Sequence, residues 1–143
     1  MSTEDNKAVV QRAFDSMTEG PDVFEAEHDQ IYAHSLAGHF AGMPEVDIDM
    51  HRQFGLATFE AFPDLRRTVV DMVAEGDKVV ARWTSEGTHN GPFMGMPPTG
   101  KMVTTSGITI FRFAGGRIVE EWSESDMVGM LQQVGAMPSP GGS

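Results

Sequence analysis

The 143-residue chain has no cysteine, which excludes disulfides, thiolate nucleophiles, iron–sulfur clusters and cysteine-ligated zinc. It leaves the redox compartment open. Basic residues are scarce: ten Lys and Arg stand against twenty-one Asp and Glu, a formal net charge of -11 at pH 7. That balance repels polyphosphate backbones, and the acidic residues are scattered through the chain, as on a solvated surface. Long apolar runs are missing as well. No segment approaches the ~20 residues a membrane helix needs, and the start, MSTEDNKAVV, lacks the basic-then-apolar order of a secretory signal. The expectation is a soluble, cytoplasmic protein with no nucleic-acid or membrane partner. Three further patterns are absent: the G-x-S-x-G elbow of serine hydrolases, the HExxH zinc helix and the G-x-G-x-x-G dinucleotide turn. The five histidines show no metal-ligand spacing. His34 and His39, with Asp29 nearby, are close in sequence but sit in a segment that does not fix their geometry, so no metal is expected.

What is present suits one domain, spanning residues 1–137, with a flexible tail at 138–143. In the stretch Asn6–Met17, Val9, Val10, Ala13, Phe14 and Met17 recur at helical spacing, with Thr3 or Asp5 available as a cap. Gly20-Pro21 stops this helix, and a second follows through Val23–Ile31. The segment HSLAGHFAGMPE reads as a loop, or as a short strand and then a loop. Val46–Phe62 is helical again and ends before Pro63. From Leu65 onward the period changes to two. Leu65–Val73 and Lys78–Glu86 flank the turn Glu75-Gly76-Asp77, and Val103–Phe113 and Arg117–Glu124 flank Ala114-Gly115-Gly116. Met127–Val134 reads as a closing helical turn. The pattern argues for α+β architecture: an antiparallel sheet with one face covered by N-terminal helices.

Candidate chemistry concentrates on the last strand. Period two puts Ile118, Glu120, Trp122 and Glu124 on one face and Val119, Glu121 and Ser123 on the other. A carboxylate aimed into an apolar cavity has its pKa raised and suits acid–base work; a crowded acidic strand is equally a solvated face. Thr104, Thr105, Ser106 and Thr109 offer hydroxyls to a substrate oxygen, or are simply good strand formers. Arg82 and Trp83 are neighbours on opposite faces, so whichever points inward is a candidate for ligand contact. Between the middle strands lies GTHNGPFMGMPPTGK, with four glycines, three prolines and two methionines in fifteen positions. It is either a ligand-binding lip or a long turn. Phe93, Met94 and Met96 in it line a pocket or pack a core.

Taken together, VAEGDKVVARWTSEGTHNGPFMGMPPTGK, ITIFRFAGGRIVEEW and DMVGMLQQVG resemble the SnoaL-like polyketide cyclase family of the NTF2-like superfamily. The resemblance implies a cone-shaped α+β barrel enclosing an apolar pocket, commonly in a homodimer or larger homo-oligomer. It also implies ring closure by intramolecular aldol chemistry without metal or cofactor. On this sequence the family's strand carboxylate falls at Ser123 and its strand histidine at Thr109, neither able to carry the proton, whereas His89, Trp122 and Asp126 match. Glu121, one strand repeat from Ser123 on the same face, is the substitute base. His89 or Arg82 would stabilise the developing enolate, Thr109 and Ser123 would bind substrate oxygen, and Trp83, Phe93, Met94 and Met96 would line the pocket. Two functions stand beside each other: a cofactor-independent cyclase or isomerase acting on a small or polyketide-like apolar carbonyl compound, and a non-catalytic binding protein that keeps the pocket. Epoxide opening needs an Asp–Arg–Asp set that the sequence does not assemble.

Overall fold

In the computed structural model, which describes residues 2–138, Ser2 opens helix α1 (Thr3–Glu19) through a reciprocal capping box with Asp5. Such a box satisfies two otherwise orphaned amides. Val10, Ala13, Phe14 and Met17 form its buried stripe, as their spacing predicts. Helix α2 (Pro21–Ile31) starts with proline in its first turn and buries Phe24, His28 and Ile31. Strand β1 (Tyr32–Phe40) follows without a loop. Asp47 then caps helix α3 (Ile48–Ala61) by accepting from the Met50 amide. Four strands come next: β2 (Arg66–Glu75), β3 (Lys78–Thr88), β4 (Met102–Ala114) and β5 (Arg117–Ser125), and helix α4 (Met127–Gln133) closes the series. Of the expected tail, only Pro138 lies within the described residues.

The strands form one sheet in the order β1-β5-β4-β3-β2. The two hairpins and the β3–β4 ladder are antiparallel, but β1 pairs with β5 in parallel. The sheet is therefore mixed, which corrects the all-antiparallel expectation. Hairpin logic sees only strands joined by short turns, and a parallel partner most of the chain away leaves no such mark. The ladder runs from β1 to β2 and does not return to its start.

Strand β5 carries a second departure. Arg112 pairs with Glu120 and Phe113 with Ile118, so Val119 is an extra residue opposite a regular strand. A bulge of this kind reverses side-chain alternation beyond it. Ile118, expected on the face of Glu120, is instead fully buried on the inner side with Glu121. The helices cover that inner face. Val10 and Phe14 pack on Trp83, Phe111 and Ile118 in one cluster, and Phe24, Phe59, Phe62, Leu65 and Val103 make a second.

Candidate active site

Between the inner face of the sheet and helices α1–α3 lies a cavity of about 260 Å³. Its walls are apolar, with Phe14, Phe24, Phe54 and Phe111 among them, and its polar groups converge from several elements. Along α3, His51, Phe54, Gly55 and Thr58 share one face at helical spacing and all reach the cavity. Gly55 is required there because a Cβ would stand 2.2 Å from the Phe24 ring. Gly107 does the same for the Trp83 indole, which a Cβ would approach to 2.3 Å.

Glu121 is 4% exposed and its Oε1 lies 2.5 Å from His51 Nε2. The approach is short but bent. The oxygen sits off the line of the ring N–H, so the contact is a close approach rather than an aligned hydrogen bond. On its other side His51 Nδ1 is 2.9 Å from Nε2 of His28, itself 1% exposed. Burial, then the neighbouring charges of His51 and Arg52, push His28 down to about 4. A neutral ring can donate or accept through Nε2 according to its tautomer, so His28 can follow a change of protonation on His51. Tyr32 packs against both rings, at 4.8 Å from His28 and 4.4 Å from His51. Burial and the Glu121 charge hold its phenol well above the ordinary range, so it stays protonated.

The opposite wall is built from hydroxyls and one cation. Trp83 Nε1 donates to Thr109 Oγ1 at 3.0 Å, and Thr109 Oγ1 is 2.9 Å from Ser123 Oγ. An indole N–H can only donate. Either hydroxyl of the Thr109–Ser123 pair can donate to the other; with Thr109 donating, the Ser123 hydrogen is free for a ligand oxygen. Arg67, inward on β2, lays its guanidinium over the Trp83 ring at 5.1 Å.

The sequence candidates separate on this frame. Glu121, Trp83, Thr109 and Ser123 come together in the cavity. Arg82 lies on the outer face, paired with Asp71 at 3.0 Å, because strict alternation along β3 turns Trp83 in and Arg82 out. Trp122 is also outer, stacked on His39. His89 is fully buried outside the cavity lining, packed on Phe62 and 3.1 Å from Thr99, where it ties down the base of the glycine- and proline-rich loop. Phe93 borders a smaller neighbouring cavity of about 130 Å³. Met96 packs on the second core cluster and Met94 is 65% exposed. Sequence reasoning passed over Tyr32, His28, His51 and Arg67 as site residues. Two of them carried a signal: the helical spacing of His51 with Phe54 and Thr58, and the parity of Arg67 with Leu65 and Val69.

Architecture and site together define a small α+β pocket protein with titratable groups facing an apolar cavity. A profile of the SnoaL-like polyketide cyclases matches residues 8–134. The chain belongs to that family. Among solved structures it is similar to a protein from Jannaschia sp. CCS1 assigned as a SnoaL-like polyketide cyclase, at 28% identity and TM-score 0.87 over 95% of each chain. It is also similar to AclR of Streptomyces galilaeus, assigned as a hydroxylase, at 26% identity and TM-score 0.86 over 97% of this chain and 86% of that one. TsrD of Streptomyces laurentii has 26% identity and TM-score 0.83, over 96% and 99%. No curated protein matches the sequence.

Proposed function

We propose that this chain is a cofactor-independent acid–base enzyme of cyclase or isomerase type, acting on a small apolar carbonyl compound. The observation that carries the reading is the Glu121–His51 pair sealed inside an apolar cavity. In the proposed cycle the Glu121 carboxylate removes a proton from the carbon beside the carbonyl. The C–H electrons move into an enolate, so the negative charge passes from Glu121 to the enolate oxygen, while His51, backed by His28, holds the carboxyl in place. The enolate oxygen accepts from Ser123. Return of the proton to another carbon completes an isomerisation; attack of the enolate carbon on a second carbonyl of the same molecule closes a ring, and the proton held by Glu121 passes to the new alkoxide.

Cavity size supports a small substrate. A cavity of about 150 Å³ accepts benzene, so about 260 Å³ suits a compound of one or two rings. Hydrogen–deuterium exchange at the α-carbon of 2-tetralone, followed by proton NMR, tests the reading directly. Wild type should accelerate exchange over buffer, and Glu121→Gln should remove about 10²- to 10⁴-fold of that acceleration. Equal exchange in wild type and Glu121→Gln overturns it. The Thr109–Ser123 hydroxyl pair supports a second reading, a binding protein, since the resemblance implies an acid and a base at those two positions. Saturable binding of 2-tetralone without exchange would favour that reading.

A further inference from the structure

Among the described residues Arg67 is a cation without a carboxylate partner, and no group there accepts from its guanidinium, although Nε is closed off from solvent. Arg82 and Arg112, on the outer face, each have a carboxylate. An isolated charge held away from water is costly unless something neutralises it. Burial lowers the Arg67 pKa, with the charge of Glu121 acting the other way, but a guanidinium remains charged throughout the accessible pH range. Its position is specific. Arg67 borders both the main cavity and the smaller one, and shares that boundary with Trp83, Thr58 and Met127.

We infer that Arg67 is the anchor for a carboxylate on the ligand, and that the compounds this cavity takes are small aromatic or bicyclic acids rather than neutral ketones alone. The guanidinium carbon lies 5.1 Å from the centre of the Trp83 ring, and a guanidinium edge presents paired N–H groups matching the two oxygens of a carboxylate. One cation suits one negative charge; a phosphate dianion would remain half uncompensated. The other titratable groups lining this space are Tyr32, which stays protonated and repels nothing, His51 and Glu121 in the main cavity, and Glu86 at the smaller one. Strands β2 and β5 are three strand intervals apart in the sheet, roughly 14 Å at the usual spacing. A ligand anchored at Arg67 can therefore extend its ring toward Glu121 without setting two carboxylates side by side.

This inference rests on the cavity of the proposed function but not on turnover. Isothermal titration calorimetry with 2-naphthoate and its neutral isostere 2-naphthamide, at pH 7, tests it. The acid should bind wild type at least tenfold more tightly than the amide. Arg67→Met should abolish that preference, and Glu121→Gln, which removes exchange, should keep it. Equal binding of acid and amide, a preference that survives Arg67→Met, its loss in Glu121→Gln, or no saturable binding of the acid to folded wild type would each overturn the assignment. If Arg67→Met does not fold, Arg67→Lys carries the test. It keeps the charge and loses the paired N–H edge, so an unchanged preference there overturns the carboxylate fork.

Discussion

Residues 120 and 121 are both glutamates and each meets a histidine, yet one pair is wet and the other is sealed. On the outer face His39 Nε2 lies 2.7 Å from Glu120, which also accepts from Arg112. These partners, His39 first, hold the Glu120 carboxyl below its ordinary range. On the inner face Glu121 has His51 and, among the described residues, no arginine within ion-pairing distance. The same side chains therefore serve opposite ends. Outside, opposite charges neutralise one another and nothing is left for chemistry; inside, the neutralisation is incomplete and the groups remain available to a ligand.

The sharpest way to break this contrast is to swap amides for acids on both faces. Glu121→Gln should lower 2-tetralone exchange by about 10²- to 10⁴-fold, whereas Glu120→Gln, on the outer face, should leave it within twofold; comparable losses from both would erase the distinction. Acid titration comes second. His28 is depressed in the fold from 6.5 to about 4, so the unfolded chain takes up a proton that the native state refuses. Stability is therefore complete above about 6.5 and falls as the pH drops toward 4. At about 1.4 kcal/mol per pH unit the loss is on the order of 3 kcal/mol. Denaturant unfolding between pH 7 and 4 should show this slope, and His28→Phe should flatten it. Glu120 works in a lower window. Its depressed carboxyl contributes above its ordinary value of 4.5 and loses that contribution only as the pH falls through the lowered value, so Glu120→Gln should leave the slope between 6.5 and 4.5 unchanged.

Third in size is the packing that shapes the inner wall. Gly107→Ala would force the Trp83 indole aside and should cost about 1–3 kcal/mol, as overpacking does, read as a lower urea midpoint with an unchanged m-value. The smallest effect belongs outside: Asp71→Ala, which breaks the exposed pair with Arg82, should not shift that midpoint beyond replicate scatter. A large shift there would mean that the outer face is structurally coupled to the inner one.

Local signals explain what was legible in the sequence. The hairpins β2–β3 and β4–β5 announce themselves through glycines that the turns require at positive φ, Gly76 at 61° and Gly115 at 59°. That Glu121 and Ser123 share one face follows from parity alone, because no irregularity separates them from each other; that this face is the inner one is set by the helices that cover it. Ile118 defeats the same rule through a single inserted residue, Val119. Strand β1 was obscured because its partner is remote and its register breaks between Tyr32 and Ala37. His51 needed the third dimension. Its value comes from meeting Glu121 on β5 and His28 on α2, and nothing in the neighbouring residues of α3 records that encounter. His89, by contrast, sits in a conspicuous motif whose role in this fold is to brace a loop against Phe62 and Thr99.

The carboxylate of the inner pair belongs to the sheet, and its imidazole belongs to the helical layer. Their contact is thus a clasp across a seam. The 2.5 Å approach is therefore set by how α3 seats on the sheet, so the spacing of the two layers fixes both the width of the cavity and the distance between its carboxylate and imidazole.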